Sequence, residues 1–300
     1  MTILAVDIGG TAIKAALYDT VAGVLIDPCE VPSRGSDGSE AVLARVLAVA
    51  AQYHGYTAVG VSTAGQVDSS RGVITYANAN IPGYTGTRLA DLLSQSLGVP
   101  ASIGNDAHCA AFGEAQRGAA RGLSDFVMLT IGTGIGGAAL CKDRLLTGTD
   151  GRGGQLGHII THVGGRPCAC GGRGCWEQYG STSALVGAAV QLNPSWDTGR
   201  AVMAAVADGS PGAAGVVDSW LDEVAAGIAS LVAVFEPSRV IVGGGIMQDP
   251  ARLAAIETRV RDLVMPPLRQ VPVVPAELGN RAALHGAALL ALDPRRLRND

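Results

Sequence analysis

Residues 3–6 and 13–17 are short apolar runs of β-forming character, and the break between them is Asp7-Ile8-Gly9-Gly10-Thr11. Two such runs joined by glycines predict a β-hairpin with a glycine tip. The same plan returns at 126–131 and 138–141, around Gly132-Thr133-Gly134-Ile135-Gly136-Gly137, so the chain reads as a duplication. Between the hairpins, residues 39–52 space their apolar positions as a helix does, with Ser39 as the cap, and 58–62 form an apolar strand. An amphipathic helix is predicted over 87–97. A strand over 101–104 then runs into Asn105-Asp106, and 107–118 is rich in small helix formers. Asp106 therefore falls where a strand ends and a helix begins.

The second half opens with a Gly/Cys-rich irregular stretch over 147–180, followed by helices within 181–235 and a strand over 240–242 that ends in Gly243-Gly244-Gly245. Helix, strand and helix complete the chain, with Pro266-Pro267 stopping one helix. No Ser/Pro-rich linker interrupts it. The expected architecture is α/β, with two domains facing one cleft: residues 1–120 and 121–300, the last helix free to return to the first domain.

Composition narrows the function classes. Three hundred residues, 48% hydrophobic and 16% charged, suffice for packed cores and argue against disorder. A net charge of −4 with the 22 Lys and Arg scattered gives no footprint for a polyphosphate backbone, so no nucleic-acid partner is expected. The first residues carry no basic region, and the apolar run at 224–235 is well short of the roughly 20 residues a membrane span needs, so a cytoplasmic protein without a membrane partner is expected. Six cysteines in such a compartment do not suggest a disulfide framework. The 42 glycines gather in short turns beside apolar runs, a pattern suited to backbone wrapped around a ligand.

A nucleoside triphosphate requires backbone N–H groups close to its phosphates and a hard carboxylate for the Mg2+ that bridges them. Asp7 with Gly9, Gly10 and Thr11, and Lys14 on the returning strand, offers both; a plain hairpin turn is the alternative. Gly132, Thr133, Gly134, Gly136 and Gly137 repeat the theme, and Gly243, Gly244 and Gly245 add a third segment. No Walker pattern is present. The second loop comes near a dinucleotide fingerprint but leads into a strand, not a helix. The paired loops resemble those of the actin and hexokinase superfamily, in which duplicated ribonuclease H-like domains grip ATP from two sides; that resemblance implies cleft closure.

Phosphoryl transfer to an alcohol asks for a carboxylate within hydrogen-bond reach of the attacking hydroxyl. Asp106 is the residue chosen, although an Asp at a helix start also stabilises the helix dipole. Asn105 can fix a hydroxyl through its amide or serve as a simple cap. Further on, His158, Cys168, Cys170 and Cys175 place one imidazole and three thiols in a short Gly-rich loop. That set satisfies tetrahedral Zn2+ with no position left for water, which marks a structural metal. His162 competes with His158 for the fourth position; Cys29, Cys109 and Cys141 read as ordinary thiols.

The segment Gly154-Gln155-Leu156-Gly157-His158 through the three cysteines to Glu177 resembles the zinc signature of the ROK family of repressors and sugar kinases. The likeness extends over nearly the whole chain and takes in Asp7 to Thr11, Asn80-Ile81-Pro82-Gly83-Tyr84, Asn105-Asp106, the second glycine loop and Gly243 to Gly245. It implies an ATP-dependent sugar kinase in which Asp106 takes the proton from the 6-hydroxyl of a hexose or amino hexose. Asn105, His158 and Glu177 would hold other hydroxyls, with Gly65 and Asn80 in the pocket. A zinc-bound His158 would present its other nitrogen to the sugar. A homodimer is also implied. Gln155 departs from the family's usual Glu and leaves glucose, N-acetylmannosamine, N-acetylglucosamine, other amino sugars and cyclitols open. The rival from another class is a sugar-sensing regulator; with only six residues before Asp7, a DNA-reading helix is not expected.

Overall fold

The computed structural model describes residues 1–149 and 151–293. The chain divides into two compact units. Met1–Arg121, Arg144–Gly154 and the segment beginning at Asn280 form the first; Gly122–Asp143 and Gln155–Gly279 form the second.

In the first unit the elements run β1 (Thr2–Ile8), β2 (Ala12–Asp19), β3 (Val24–Pro32), α1 (Ser39–Ala50), β4 (Ala58–Thr63), the small hairpin β5 (Gln66–Asp68) and β6 (Val73–Tyr76), α2 (Leu89–Leu97), β7 (Ala101–Asn105) and α3 (Asp106–Arg117). The main sheet has the order β3-β2-β1-β4-β7. β1 and β2 pair antiparallel, while β1, β4 and β7 run parallel. The parallel strands are buried on both faces, as their unbroken apolar runs require. One face packs on α1 and α2 through Val42, Val46 and Leu93. β3 carries no apolar periodicity because it is an edge strand, mostly exposed, with Pro28 and Pro32 within it and a bulge in its pairing partner between Ala15 and Leu17. Two helix starts differ from expectation. Gly38, at φ 99°, caps α1 where Ser39 was expected, since a left-handed turn enters the helix there and only glycine takes it freely. α2 begins at Leu89, two residues later than its amphipathic pattern.

The second unit contains β8 (Phe126–Ile131), β9 (Ile135–Cys141), α4 (Glu177–Gly180), α5 (Thr182–Ala189), α6 (Gly199–Ala207), α7 (Pro211–Phe235), β11 (Val240–Gly243), α8 (Pro250–Leu263) and β12 (Val273–Pro275); the two-residue β10 (Arg144–Leu145) opens the segment that belongs to the first unit. Its strands follow the order β9-β8-β11-β12, again a hairpin beside two parallel strands. Trp176, Trp220, Val224 and Ile228 centre the core. α7 opens on a Ser210 cap with Pro211 at its first turn.

The last helix, α9 (Ala282–Leu292), belongs to the first unit and packs Leu284 and Ala288 on Ile3, Ala5 and Tyr18. Its approach is glycine-lined: a methyl at Gly60 would overlap the Ala287 carbonyl, one at Gly113 the Ala282 carbonyl, and one at Gly286 the Cys109 carbonyl.

Candidate functional site

Parallel strands deliver their chemistry at their carboxyl ends. In the first unit Asp7, Ser62 and Thr63, and Asn105 occupy the ends of β1, β4 and β7, with Asp7 level with Ser62 and Thr63 level with Asn105. Ser62 Oγ donates to Asp7 Oδ1 at 2.7 Å. Burial raises the Asp7 pKa above the ordinary carboxylate value, Ser62 and Lys14 pull it back, and Glu30 adds to the rise. Thr63 Oγ1 meets the buried Tyr84 hydroxyl at 2.8 Å, which anchors the turn that follows Asn80. Asn80 itself is exposed, and its carbonyl lies against Gly35, whose carbonyl-side neighbour Gly10 accepts the Ser33 hydroxyl at 2.8 Å. The first glycine loop and the Asn80 segment thus share one support.

Asn105 caps α3: its Oδ1 accepts the N–H groups of Ala107 and His108 at 3.0 and 3.2 Å. Its Nδ2 donates to the Gly65 carbonyl and to Asp106 Oδ1, both at 2.9 Å. The amide thereby holds Gly65, at φ 98°, and aims Asp106. Asp106 is exposed, and its Oδ1 also accepts the Ala107 N–H at 2.8 Å. Protein crowds the carboxyl although solvent reaches it. That crowding, followed by the charge of Asp7, pushes its pKa up to about 6 against the pull of the Ala107 and Asn105 hydrogen bonds.

In the second unit the turn between β8 and β9 is Gly132-Thr133-Gly134, closed by a Gly132 N–H to Gly134 carbonyl bond of 2.9 Å. Gly136 and Gly137 are not at its tip: they lie inside the β9 ladder opposite Thr130 and Leu129. Gly243 ends β11 level with Thr130, and a methyl at Gly244, φ 124°, would overlap the Ile131 carbonyl. The two glycine segments of this unit are therefore side by side.

The Gly/Cys-rich stretch folds around four ligand atoms. Those of His158, Cys168, Cys170 and Cys175 all lie within 4.8 Å of one another. His158 Nδ1 stands 3.6 Å from Cys168 Sγ, and Cys170 Sγ 3.6 Å from Cys175 Sγ. Thiolates bound to tetrahedral zinc at about 2.3 Å sit about 3.8 Å apart, so three thiols and one imidazole at this spacing fit that ion. His162 is drawn elsewhere, stacked on Tyr179 at 3.8 Å with Nε2 3.4 Å from Glu223 Oε1. Trp176, between Cys175 and Glu177, is wholly buried and donates Nε1–H to the Glu223 carbonyl at 2.8 Å, which pins the loop to α7. Gln155 precedes the 3-10 turn Leu156–His158 and accepts the His158 N–H on its carbonyl at 3.0 Å. Sequence reasoning missed Ser62 and Thr63, whose roles arise only from strand register, and it quoted Tyr84 in a motif without foreseeing its bond to Thr63.

Two duplicated α/β units of actin-like topology, one carrying a carboxylate at a strand-to-helix junction and the other a Cys/His cluster, define a narrow class of fold. The chain belongs to the ROK family, whose family model matches residues 3–294. It is 33% identical to a glucokinase of Streptomyces coelicolor over 97% of this chain and 98% of that protein. It is 32% identical to an N-acetylmannosamine kinase of Escherichia fergusonii over 97% and 98%. Among solved structures, a ROK family glucokinase from Streptomyces griseus in complex with glucose and AMPPNP superposes with a TM-score of 0.87 at 33% identity, over 97% of this chain and 99% of that one.

Proposed function

We propose that this chain is an ATP-dependent sugar kinase that phosphorylates the 6-hydroxyl of a hexose or N-acetyl hexosamine, with Asp106 as the base. The observation that carries the reading is Asp106 itself: an exposed carboxylate, aimed by Asn105 and held near neutrality in its proton affinity, in a chain whose relatives include glucokinases. The hydroxyl oxygen forms a bond to the γ-phosphorus while the bond to the β,γ-bridging oxygen breaks. ADP leaves, and Asp106 receives the hydroxyl proton. Backbone N–H groups of Gly9, Gly10 and Thr11, of Gly132, Thr133 and Gly134, and of Gly243, Gly244 and Gly245, with Lys14, are assigned to the nucleotide.

Asp7 suits Mg2+, because a carboxylate whose pKa is raised by burial gains from a cation; bound there, the ion would neutralise phosphate charge. Zn2+ on His158, Cys168, Cys170 and Cys175 would fix the loop that carries His158 and Glu177. Nδ1 of His158 faces the cluster, which leaves Nε2 for a sugar hydroxyl. Gly65, Asn80 and Asn105 of the first unit, and Gln155 and Glu177 of the second, are likewise assigned to the sugar.

The test is coupled-enzyme measurement of ATP consumption against hexoses, N-acetylhexosamines and amino sugars. Wild type should turn over at least one of them, and Asp106→Asn should lose about 10³-fold in kcat while still binding the sugar. A variant that turns over at the wild-type rate removes Asp106 as base. A wild-type chain that binds sugar yet consumes no ATP points to a sensor.

A further inference from the structure

The residues that flank the Cys/His cluster reach past it to the backbone of Ile135, where the second glycine loop enters its strand. Glu177, two positions after Cys175, brings Oε1 to 3.2 Å from Cys168 Sγ and 3.7 Å from His158 Nδ1. Its Oε2 accepts the Ile135 N–H at 3.4 Å. Gly157, just before His158, lies so close to the Ile135 carbonyl that a methyl there would overlap it. Gly134 is closed off from the same side, since a Cβ on it would come 2.7 Å from Glu177 Oε2. The last anchor is the Thr182 N–H, which donates to the Gly132 carbonyl at 2.8 Å beside the Ser181 cap of α5. One wall of the turn is thus built from neighbours of metal ligands.

We propose that Glu177, whatever contact it makes with sugar, is a positioning residue that couples metal occupancy of the cluster to nucleotide affinity at the second glycine loop. The inference rests on the kinase reading, which assigns nucleotide to that loop. The physical chain is short. A metal on His158 and Cys168 takes the place of the thiol proton that Cys168 donates to Oε1, fixes both ligands and, by its positive charge, keeps the carboxylate facing them; the fixed carboxylate holds the Ile135 amide, and with it the Gly132 to Gly134 turn, in a single orientation. A loop already ordered loses less conformational freedom when phosphate arrives. Linkage makes the effect reciprocal: nucleotide must tighten metal binding by the same factor as metal tightens nucleotide.

The test uses the full chain without sugar, so that no sugar contact of Glu177 or His158 enters. AMPPNP binding is measured by calorimetry on zinc-loaded and chelator-stripped protein, and zinc affinity by chelator competition with and without AMPPNP. Stripping should weaken AMPPNP binding about fivefold or more, and AMPPNP should strengthen zinc binding by the same factor. Glu177→Asp, one methylene too short to span both partners, should keep its zinc while the factor falls close to one. Equal AMPPNP affinities in loaded and stripped wild type, or an undiminished factor in Glu177→Asp, overturn the proposal. If stripping unfolds the second unit, zinc-loaded protein decides: faster amide exchange at Ile135 in Glu177→Asp supports the coupling, and an unchanged rate overturns it. Wild type that takes up no zinc or binds no AMPPNP overturns the functional reading beneath; binding of both without coupling overturns the coupling alone.

Discussion

Asp106 has to be ionised to accept a proton, yet its surroundings favour the protonated form. Crowding of the carboxyl by protein and the Asp7 charge push its pKa up to about 6. The group is a competent base above that value and is neutralised as pH falls through it. Hence kcat/KM for the best sugar should decline on the acid side with a midpoint near 6, to be read from a pH–rate profile of the free enzyme; a midpoint near 4 would mean that neither the crowding of the carboxyl nor the Asp7 charge acts on it. Gln155, assigned to the sugar pocket, is expected to bear on a different property. Replacing its amide by a carboxylate in Gln155→Glu adds an acceptor to the pocket and should shift relative kcat/KM among hexoses and N-acetylhexosamines by about tenfold. Identical ratios in both proteins would show that position 155 does not select substrate. The strand-to-helix junction at Asp106 and the gathering of His158, Cys168, Cys170 and Cys175 were legible in the sequence because residue type and spacing announce them. Ser62 and Thr63 were not, because a serine or threonine acquires meaning only when parallel register sets it beside a carboxylate or brings a distant loop tyrosine within reach.

Among the elements, α3 and α9 bear most directly on the site, for α3 begins with Asp106 and its far face receives α9. The contact depends on glycines that admit backbone against backbone. Gly286→Ala would force a methyl into the Cys109 carbonyl and should destabilise the first unit by about 1–3 kcal/mol, seen as a lowered melting temperature. An unchanged melting temperature would mean the helices separate without cost. Hairpins and central strands were readable from their apolar runs. β3 was not: an exposed edge strand has no buried face to impose alternation, and its two prolines argue for a turn. The entry to α1 was misplaced by one residue because a serine at a helix start signals a cap more loudly than the glycine before it.

At the level of the molecule, the two units repeat one strand plan but have divided its uses. β2-β1-β4-β7 and β9-β8-β11-β12 match in order and direction. The first ends its strands in Asp7, Ser62 and Asn105, whereas the second ends the two that match β1 and β4 in glycine turns and adds a cluster of thiols. Each has its own core, so heating need not be a single all-or-none event. Cys170→Ser should weaken zinc binding by at least about tenfold and lower the transition of the second unit while sparing the first. Full zinc content in that variant, measured by metal analysis, would remove Cys170 from the ligand set.

The seating of α9 also fixes an order of events during biosynthesis. A ribosome releases β1 to α3 early, but the glycine seats at 60 and 113 stay bare until residues 282–292 have been made. The half of the enzyme that is translated first is therefore finished last, and until then its apolar sheet face is a natural client for chaperones.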